Sequence, residues 1–201
     1  MPSIVVLVEG EGDAAAVPKL VAVALRRLGR HDWFVVQKQT TKVGGVAALK
    51  KRLDSHAGYL RIKSPDAALV LLDLEDGCPK AEAAELARLL REHNLPFPVA
   101  VVLAHREYEA WFLASLETIA PDAADLPSDA VFSDDPEGPR GCKERLTALM
   151  PAGKIYRETT HQAEYTSRLD FDLAQARSRS FRRFVHAVDQ VTTVSGSVVT
   201  P

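Results

Sequence analysis

Three stretches of the chain are apolar at almost every position, and each is followed by a segment in which apolar residues recur at helical spacing. The stretches are Ser3–Val8, Ala67–Leu72 and Val99–Leu103, and Trp33–Val36 is a shorter example. Continuous apolar runs of this kind are typical of strands buried on both faces of a parallel sheet. Their alternation with helices predicts an α/β fold, with a mostly parallel four-stranded sheet flanked by helices.

The segments between these strands have the spacing of amphipathic helices. One helix is predicted from Asp13, as its N-cap, to a stop at Gly29, and a short one over Val46–Leu53. Two further helices are predicted from their apolar faces, which consist of Ala83, Leu86, Ala87 and Leu90 in one and of Tyr108, Trp111, Phe112 and Leu116 in the other.

The composition changes after Ile119. Residues 119–141 are rich in Pro, Asp, Ser and Gly, which is typical of a long loop, and helical spacing returns from about Cys142. We therefore predict an α/β domain over residues 1–118, an Asp/Pro-rich loop over residues 119–141, and a mainly helical C-terminal region over residues 142–201 that packs on the first domain. The last ten residues are expected to form a poorly ordered tail.

Composition and charge exclude several classes of protein. The chain has 201 residues, 46% hydrophobic and 26% charged, and is long enough to bury a core. Its net charge of -2 gives no general reason for binding nucleic acid or a membrane surface. Two distant cysteines and a start that does not resemble a signal peptide predict a cytoplasmic location. No apolar run approaches the roughly 20 residues that a membrane span needs.

The first strand leads into Gly10-Glu11-Gly12-Asp13-Ala14-Ala15, which matches the dinucleotide-binding pattern G-x-G-x-x-A. That pattern requires a bare glycine turn, so that backbone N–H groups meet a pyrophosphate, and an acid after the second strand for the ribose. Here Glu9, Glu11 and Asp13 would repel a pyrophosphate, and the second strand ends in Gln37-Lys38-Gln39. The residues therefore favour a metal site over a nicotinamide or flavin site.

Acidic residues stand at the ends of several predicted strands. Glu9 follows the first strand, Asp13 lies one helical turn further on, and Asp73 and Glu75 follow the third. Because the carboxyl ends of parallel strands share one edge of a sheet, these carboxylates would repel one another unless a cation lay between them. Oxygen ligands favour Mg²⁺ or Mn²⁺, so we predict Glu9, Asp13, Asp73 and Glu75 as metal ligands. For Asp13, capping the next helix is an equal alternative.

These residues resemble the Toprim domain of topoisomerases, primases and OLD-family nucleases, in which a Glu-Gly turn after the first strand precedes an Asp-x-Asp/Glu pair. The "VEGEGD" segment is similar to the OLD-like form. A Toprim-like bacterial family known as domain of unknown function 4276 is more similar still. It has a similar "VEG" start, a segment like "REYEAWFL" (Arg106–Leu113) and a late helix like "SRSFRRF" (Ser178–Phe184).

The resemblance implies a Rossmann-like Toprim fold and metal-dependent phosphodiester hydrolysis of nucleic acid, with defence against phage as one setting. It implies catalytic roles for Glu9, Asp13, Asp73 and Glu75, and favours Glu109 over its alternative as a first-turn helix acid. Two other hypotheses remain: a non-catalytic or partner-activated subunit that binds metal or nucleotide and works with a separate ATPase, and a small-molecule phosphotransferase. Self-association stays open.

Basic residues near the end of the chain are candidates for binding a phosphate backbone. Lys154, Arg179 and Arg182 are predicted to do so, because a cation near a cleavage site offsets charge that develops on the phosphate. An exposed helix face explains these residues equally well.

Overall fold

The computed structural model describes residues 1–138, 140–194, 196 and 199–200. Within these residues six strands form one sheet, in which every pair of neighbours is parallel. The strands are β1 (Ser3–Val8), β2 (Phe34–Val35), β3 (Thr41–Lys42), β4 (Ala67–Leu74), β5 (Val99–His105) and β6 (Val199–Thr200). Their order is β2-β1-β4-β5-β6, and β3 pairs with the later part of β1.

Helices connect the strands and make up most of the C-terminal region. They are α1 (Glu11–Arg27), α2 (Gly45–Lys51), α3 (Leu53–Lys63), α4 (Pro79–Arg91), α5 (Ala110–Leu113), α6 (Leu116–Ile119), α7 (Cys142–Leu149), α8 (Ala163–Arg168), α9 (Phe171–Arg177) and α10 (Arg179–Thr193). A single π-helical turn, Glu158–Gln162, precedes α8. Among the described residues, every helix is too short or too polar to cross a bilayer.

The predicted α/β class and the parallel sheet are confirmed, but the prediction of four strands is wrong. The described part of the chain adds β3 and β6, which have two residues each and therefore no periodicity that a sequence pattern reveals. β6 lies in the segment that was expected to be a poorly ordered tail. It pairs with Val99 and Ala100 of β5.

Two of the predicted helices also differ from the observed ones. The helix after β5 is broken into α5 and α6 at residues 114–115, and the predicted helix over Val46–Leu53 is followed by a second helix, α3, that was not predicted. Asp13 is not the N-cap of α1. Gly10 holds that position, and the Asp13 side chain, three residues later, accepts a hydrogen bond from the Gly10 N–H (Oδ2 to N, 3.0 Å).

The two faces of the sheet carry separate hydrophobic clusters. One face, which includes Val5, Val70 and Val101, is covered by α2, α3 and α4. The other face packs against α1 and the C-terminal helices, and its cluster contains Trp111 together with Phe181 of α10. The indole of Trp111 meets the Phe181 ring edge-on, with 5.1 Å between the ring centroids. Side chains from the C-terminal region thus share one core with the strands.

The Asp/Pro-rich loop is attached to the start of α10. Glu137 is buried, and its Oε1 accepts hydrogen bonds from the Ser178 hydroxyl (2.6 Å) and from the backbone N–H and hydroxyl of Ser180 (2.7 Å each). A carboxylate at a helix N-terminus satisfies free N–H groups and interacts favourably with the helix dipole. Glu137 therefore anchors this end of the loop.

Candidate functional site

Three neighbouring strands bring acidic residues to one edge of the sheet. Glu9 directly follows β1, Asp73 is the next-to-last residue of β4, and Glu109 lies shortly after β5. The Asp73 N–H donates to Glu9 Oε2 at 3.3 Å, and the Asp73 carboxylate accepts from the Tyr108 N–H at 2.9 Å. Asp13 and Glu109 lie near enough to repel the Asp73 carboxylate. We call these four carboxylates the acid cluster: Glu9, Asp13, Asp73 and Glu109.

A left-handed residue turns the chain after β5 toward β4. Arg106 has a φ of 73°, a conformation that few residues other than glycine adopt. Its N–H donates to the Leu74 carbonyl at 2.9 Å, and its guanidinium donates to the Glu75 carbonyl at 2.6 Å. Because the chain reverses here, the backbone of Tyr108 reaches Asp73, and Glu109 is directed into the protein.

The π-helical turn provides the wall beside the first glycines. Gln162, at its end, donates from Nε2 to Asp13 Oδ1 at 2.7 Å. Gly12 allows this approach, because a Cβ at that position would lie 2.1 Å from Gln162 Oε1 and 2.7 Å from the Cβ of Glu158. The G-x-G-x-x-A pattern is therefore explained by close packing of α1 against this turn. Side chains of the π-helical turn thus cover the start of α1 at Gly12 and Asp13.

A tyrosine from the C-terminal region contacts the acid cluster, and a lysine from the same region interacts with its charges. Tyr156 donates its hydroxyl to Glu109 Oε1 at 2.8 Å, and Lys143 forms an ion pair with Glu158. Lys143 sits in the first turn of α7, and its own N–H is bound by Glu107 Oε2 at 3.1 Å. The ammonium group thus interacts with carboxylates from before and after the long loop, namely Asp73, Glu109 and Glu158.

Burial and mutual repulsion raise the pKa values of the acid cluster. Glu109 is fully buried, and burial raises its pKa from 4.5 to about 7, even though the charge of Lys143 and the bond from Tyr156 favour the carboxylate. Burial, followed by repulsion from Glu109, Asp13 and Glu9, raises the pKa of Asp73 well above its ordinary value. Burial also raises the pKa values of Glu9 and Asp13.

For Lys143 the surroundings favour the charged form of the side chain. Burial disfavours its charge, but the negative charge of Glu109 and the bond to Glu158 outweigh that effect and raise its pKa above its ordinary value. The ammonium therefore stays protonated throughout the range in which the carboxylates titrate. One such cation does not balance four carboxylates, so the cluster favours additional positive charge.

The cluster suits a hard divalent cation in its chemistry, although its side chains do not surround one point. Among the described residues, no three His, Cys, Asp and Glu side chains are arranged so that they could hold a metal ion. The donor atoms are all carboxylate oxygens, as Mg²⁺ and Mn²⁺ prefer. Glu109 Oε2 is buried and has no hydrogen-bond partner in the described structure. Glu9, Asp13, Asp73 and Glu109 could hold an ion only after side-chain rotation.

The structure places the remaining predicted site residues outside the acid cluster. The side chain of Glu75 is exposed, one residue beyond the end of β4. Lys154 pairs with Asp125 at 3.2 Å, and Arg182 donates to the carbonyls of Gln175 and Ala176. Arg179 is exposed at the start of α10. None of the hydrogen bonds or ion pairs between described residues links these four side chains to the cluster.

Sequence reasoning missed Lys143, Tyr156 and Gln162. One signal pointed to Lys143, because a lysine in the first turn of a helix is disfavoured by the helix dipole and so suggests a specific anionic partner. Tyr156 and Gln162 gave no such signal. Their positions depend on an irregular segment and on a π-helical turn, which is rare and often found at functional sites.

The fold and the acid cluster define an α/β protein with an acidic site at the carboxyl ends of three adjacent parallel strands. Residues 8–189 match the family described as Domain of unknown function (DUF4276), and the chain belongs to that family. The matched residues include every member of the acid cluster. No curated protein and no solved structure matched the chain.

Proposed function

We propose that the chain is a Mg²⁺- or Mn²⁺-dependent phosphodiesterase that acts on nucleic acid, with a Toprim-like site. The observation that carries this proposal is the convergence of Glu9, Asp13, Asp73 and Glu109 beside Lys143, with carboxylate pKa values raised by burial and mutual repulsion. Such a group of acids disfavours its own ionisation, and a divalent cation removes that cost. The Toprim resemblance of the "VEGEGD" segment supports the same chemistry.

When bound, Mg²⁺ or Mn²⁺ would polarise the scissile phosphate and lower the pKa of an attacking water. Glu9, Asp13 and Asp73 would hold the ion, with Glu109 as a further ligand. Tyr156 occupies one oxygen of Glu109, and the other, Oε2, is buried without a hydrogen-bond partner among the described residues. Lys143, which is protonated at neutral pH, would stabilise the negative charge that develops on the phosphate.

Metal binding and cleavage test the proposal separately. Calorimetry with Mn²⁺ should show binding to the wild-type chain and loss of binding in Asp73→Asn. Supercoiled plasmid, linear DNA and single-stranded RNA would then be incubated with the protein in Mg²⁺, Mn²⁺ or EDTA. We expect metal-dependent cleavage that Asp73→Asn abolishes. Lys143→Met should reduce cleavage but retain Mn²⁺ binding.

The matched control is Glu11→Gln. Glu11 lies between Glu9 and Asp13 in sequence, but its side chain is exposed and pairs with Lys42, so both metal binding and cleavage should be retained. Glu75→Gln tests the position taken from the Toprim pattern, and its exposure predicts a smaller effect than that of Asp73→Asn. Mn²⁺ binding without cleavage of any substrate would favour the partner-activated subunit. Absence of both would refute the proposed function.

A further inference from the structure

A second candidate site lies beside the outer edge of β5. There the starts of α4 and α10 and the end of the Asp/Pro-rich loop enclose a cavity of about 690 Å³. In the described part of the chain, β6 pairs only with Val99 and Ala100, so β5 has no neighbour on this side from Val101 onward. Val101, Leu103 and Ala83 give the cavity apolar walls. Its size lies within the roughly 300–1,000 Å³ of small-molecule sites.

The same cavity is lined by an excess of cationic side chains. Lys80, Arg106, Arg179 and Arg183 contribute to it, three of them arginines. The side chains of Lys80 and Arg179 make no hydrogen bond or ion pair with other described residues. The Nε of Arg106 is buried and has no partner within the described structure. The planar guanidinium group matches a phosphate with two parallel hydrogen bonds and also stacks on aromatic rings.

The two carboxylates that line the cavity are already engaged by the protein. Glu137 accepts three hydrogen bonds at the start of α10, and Asp135 Oδ1 accepts from the Glu137 N–H at 3.0 Å. With these two negative charges counted against the four positive ones, the described lining keeps an excess of two positive charges. Apolar walls with a net cationic rim are complementary to an anion that carries a flat apolar group.

We propose that this cavity binds a small organic phosphate with an aromatic base, such as a nucleoside diphosphate. The base would lie against the apolar wall of the cavity, and the phosphates would bind the side chains of Arg179 and Lys80. This site shares no lining residue with the acid cluster. The proposal therefore does not depend on the phosphodiesterase proposal, and EDTA in the assay keeps metal-linked binding at the acid cluster out of the measurement.

The test is calorimetric titration of the full chain with ADP in EDTA at neutral pH. We expect saturable binding with one site, and weaker binding of both adenosine and inorganic pyrophosphate, because each lacks one half of the ligand. Arg179→Ala and Lys80→Ala should each raise the Kd for ADP about tenfold or more, as expected for the loss of a charge-assisted contact. Both side chains are exposed, so the variants should fold.

Arg26→Ala is the matched control, because Arg26 is an exposed arginine on α1 that does not line the cavity, and its Kd should equal that of the wild type. Asp73→Asn should also leave the Kd unchanged. No ADP binding at millimolar concentration would overturn the proposal. Loss of ADP binding in Asp73→Asn with no effect of Arg179→Ala would also overturn it. A third refuting result would be adenosine, pyrophosphate or decyl phosphate binding as tightly as ADP.

Discussion

Replacing Glu109 by glutamine should make the protein more stable, relative to wild type, at alkaline pH than at acidic pH. Burial raises the pKa of Glu109 from 4.5 to about 7, so the folded state holds this proton more tightly than the unfolded state. The stability gained from that proton is fully present below the unfolded pKa and is lost progressively as the pH rises from about 4.5 through the folded pKa of about 7. Glutamine carries no titrating charge, so the variant lacks this loss.

The magnitude follows from the two pKa values. A difference between 4.5 and about 7 corresponds, at about 1.36 kcal/mol per pH unit, to about 3 kcal/mol of unfolding free energy at pH 8. The glutamine oxygen can still accept the hydrogen bond from Tyr156, whereas its amide N–H groups take the place of the unpartnered Oε2. Any cost of that amide is the same at every pH. The quantity to measure is therefore how the difference in unfolding free energy between variant and wild type changes with pH.

Urea denaturation of wild type and Glu109→Gln in EDTA, at pH 4.5, 6, 7 and 8, gives this difference. The unfolding free energy of the variant minus that of the wild type should increase by about 3 kcal/mol across the series, most steeply between about pH 5 and 7, and should level off above pH 7. Glu11→Gln, at an exposed carboxylate, should differ from wild type by no more than about 0.5 kcal/mol throughout. A Glu109→Gln difference that does not change with pH would refute the account of the acid cluster.

Two further substitutions test the surroundings of the cluster and of the loop. Gly12→Ala should lower the unfolding free energy in urea denaturation by about 1–3 kcal/mol, because its Cβ would overlap Gln162 and Glu158. Gly58→Ala in α3, where the added Cβ meets open space, should be neutral or slightly stabilising. Equal effects of the two substitutions would count against the packing role of Gly12. Glu137→Ala should cost about 2–3 kcal/mol and speed proteolysis within residues 119–141, because three donors lose their acceptor. Asp134→Ala, at an exposed carboxylate, should do neither, and unchanged proteolysis of Glu137→Ala would show that the loop is held by other contacts.

The long strands were predictable because their burial is visible in the sequence. β1, β4 and β5 are covered on both faces, so almost every position is apolar and the pattern needs no knowledge of the partners. The same reasoning fails for β3 and β6, whose two-residue ladders are set by the strands that they join. α3 was missed because Leu53, Ala57 and Leu60 form a narrow apolar stripe among polar residues.

The candidate site was predictable as far as the topology of the sheet determines it. Glu9 and Asp73 lie together because β1 and β4 are adjacent and parallel, which follows from their order and type. Glu75 did not follow this rule, because the strand ends at Leu74 and the side chain of the next residue is exposed. Lys143 and Tyr156 reach the cluster from beyond the long loop. Their position depends on how the C-terminal helices pack, which no local pattern encodes.

The acid cluster is hard to explain as a structural feature. A carboxylate that serves stability usually has its pKa lowered by a partner, as Asp125 does beside Lys154. In the cluster the pKa shifts of Asp73 and Glu109 go the other way, so ionisation at neutral pH opposes folding. An amide of the same shape would relieve that opposition at either position. This opposition supports the proposal that the four acids bind a cation. If they do, Mn²⁺ should raise the unfolding free energy of wild type but not of Asp73→Asn.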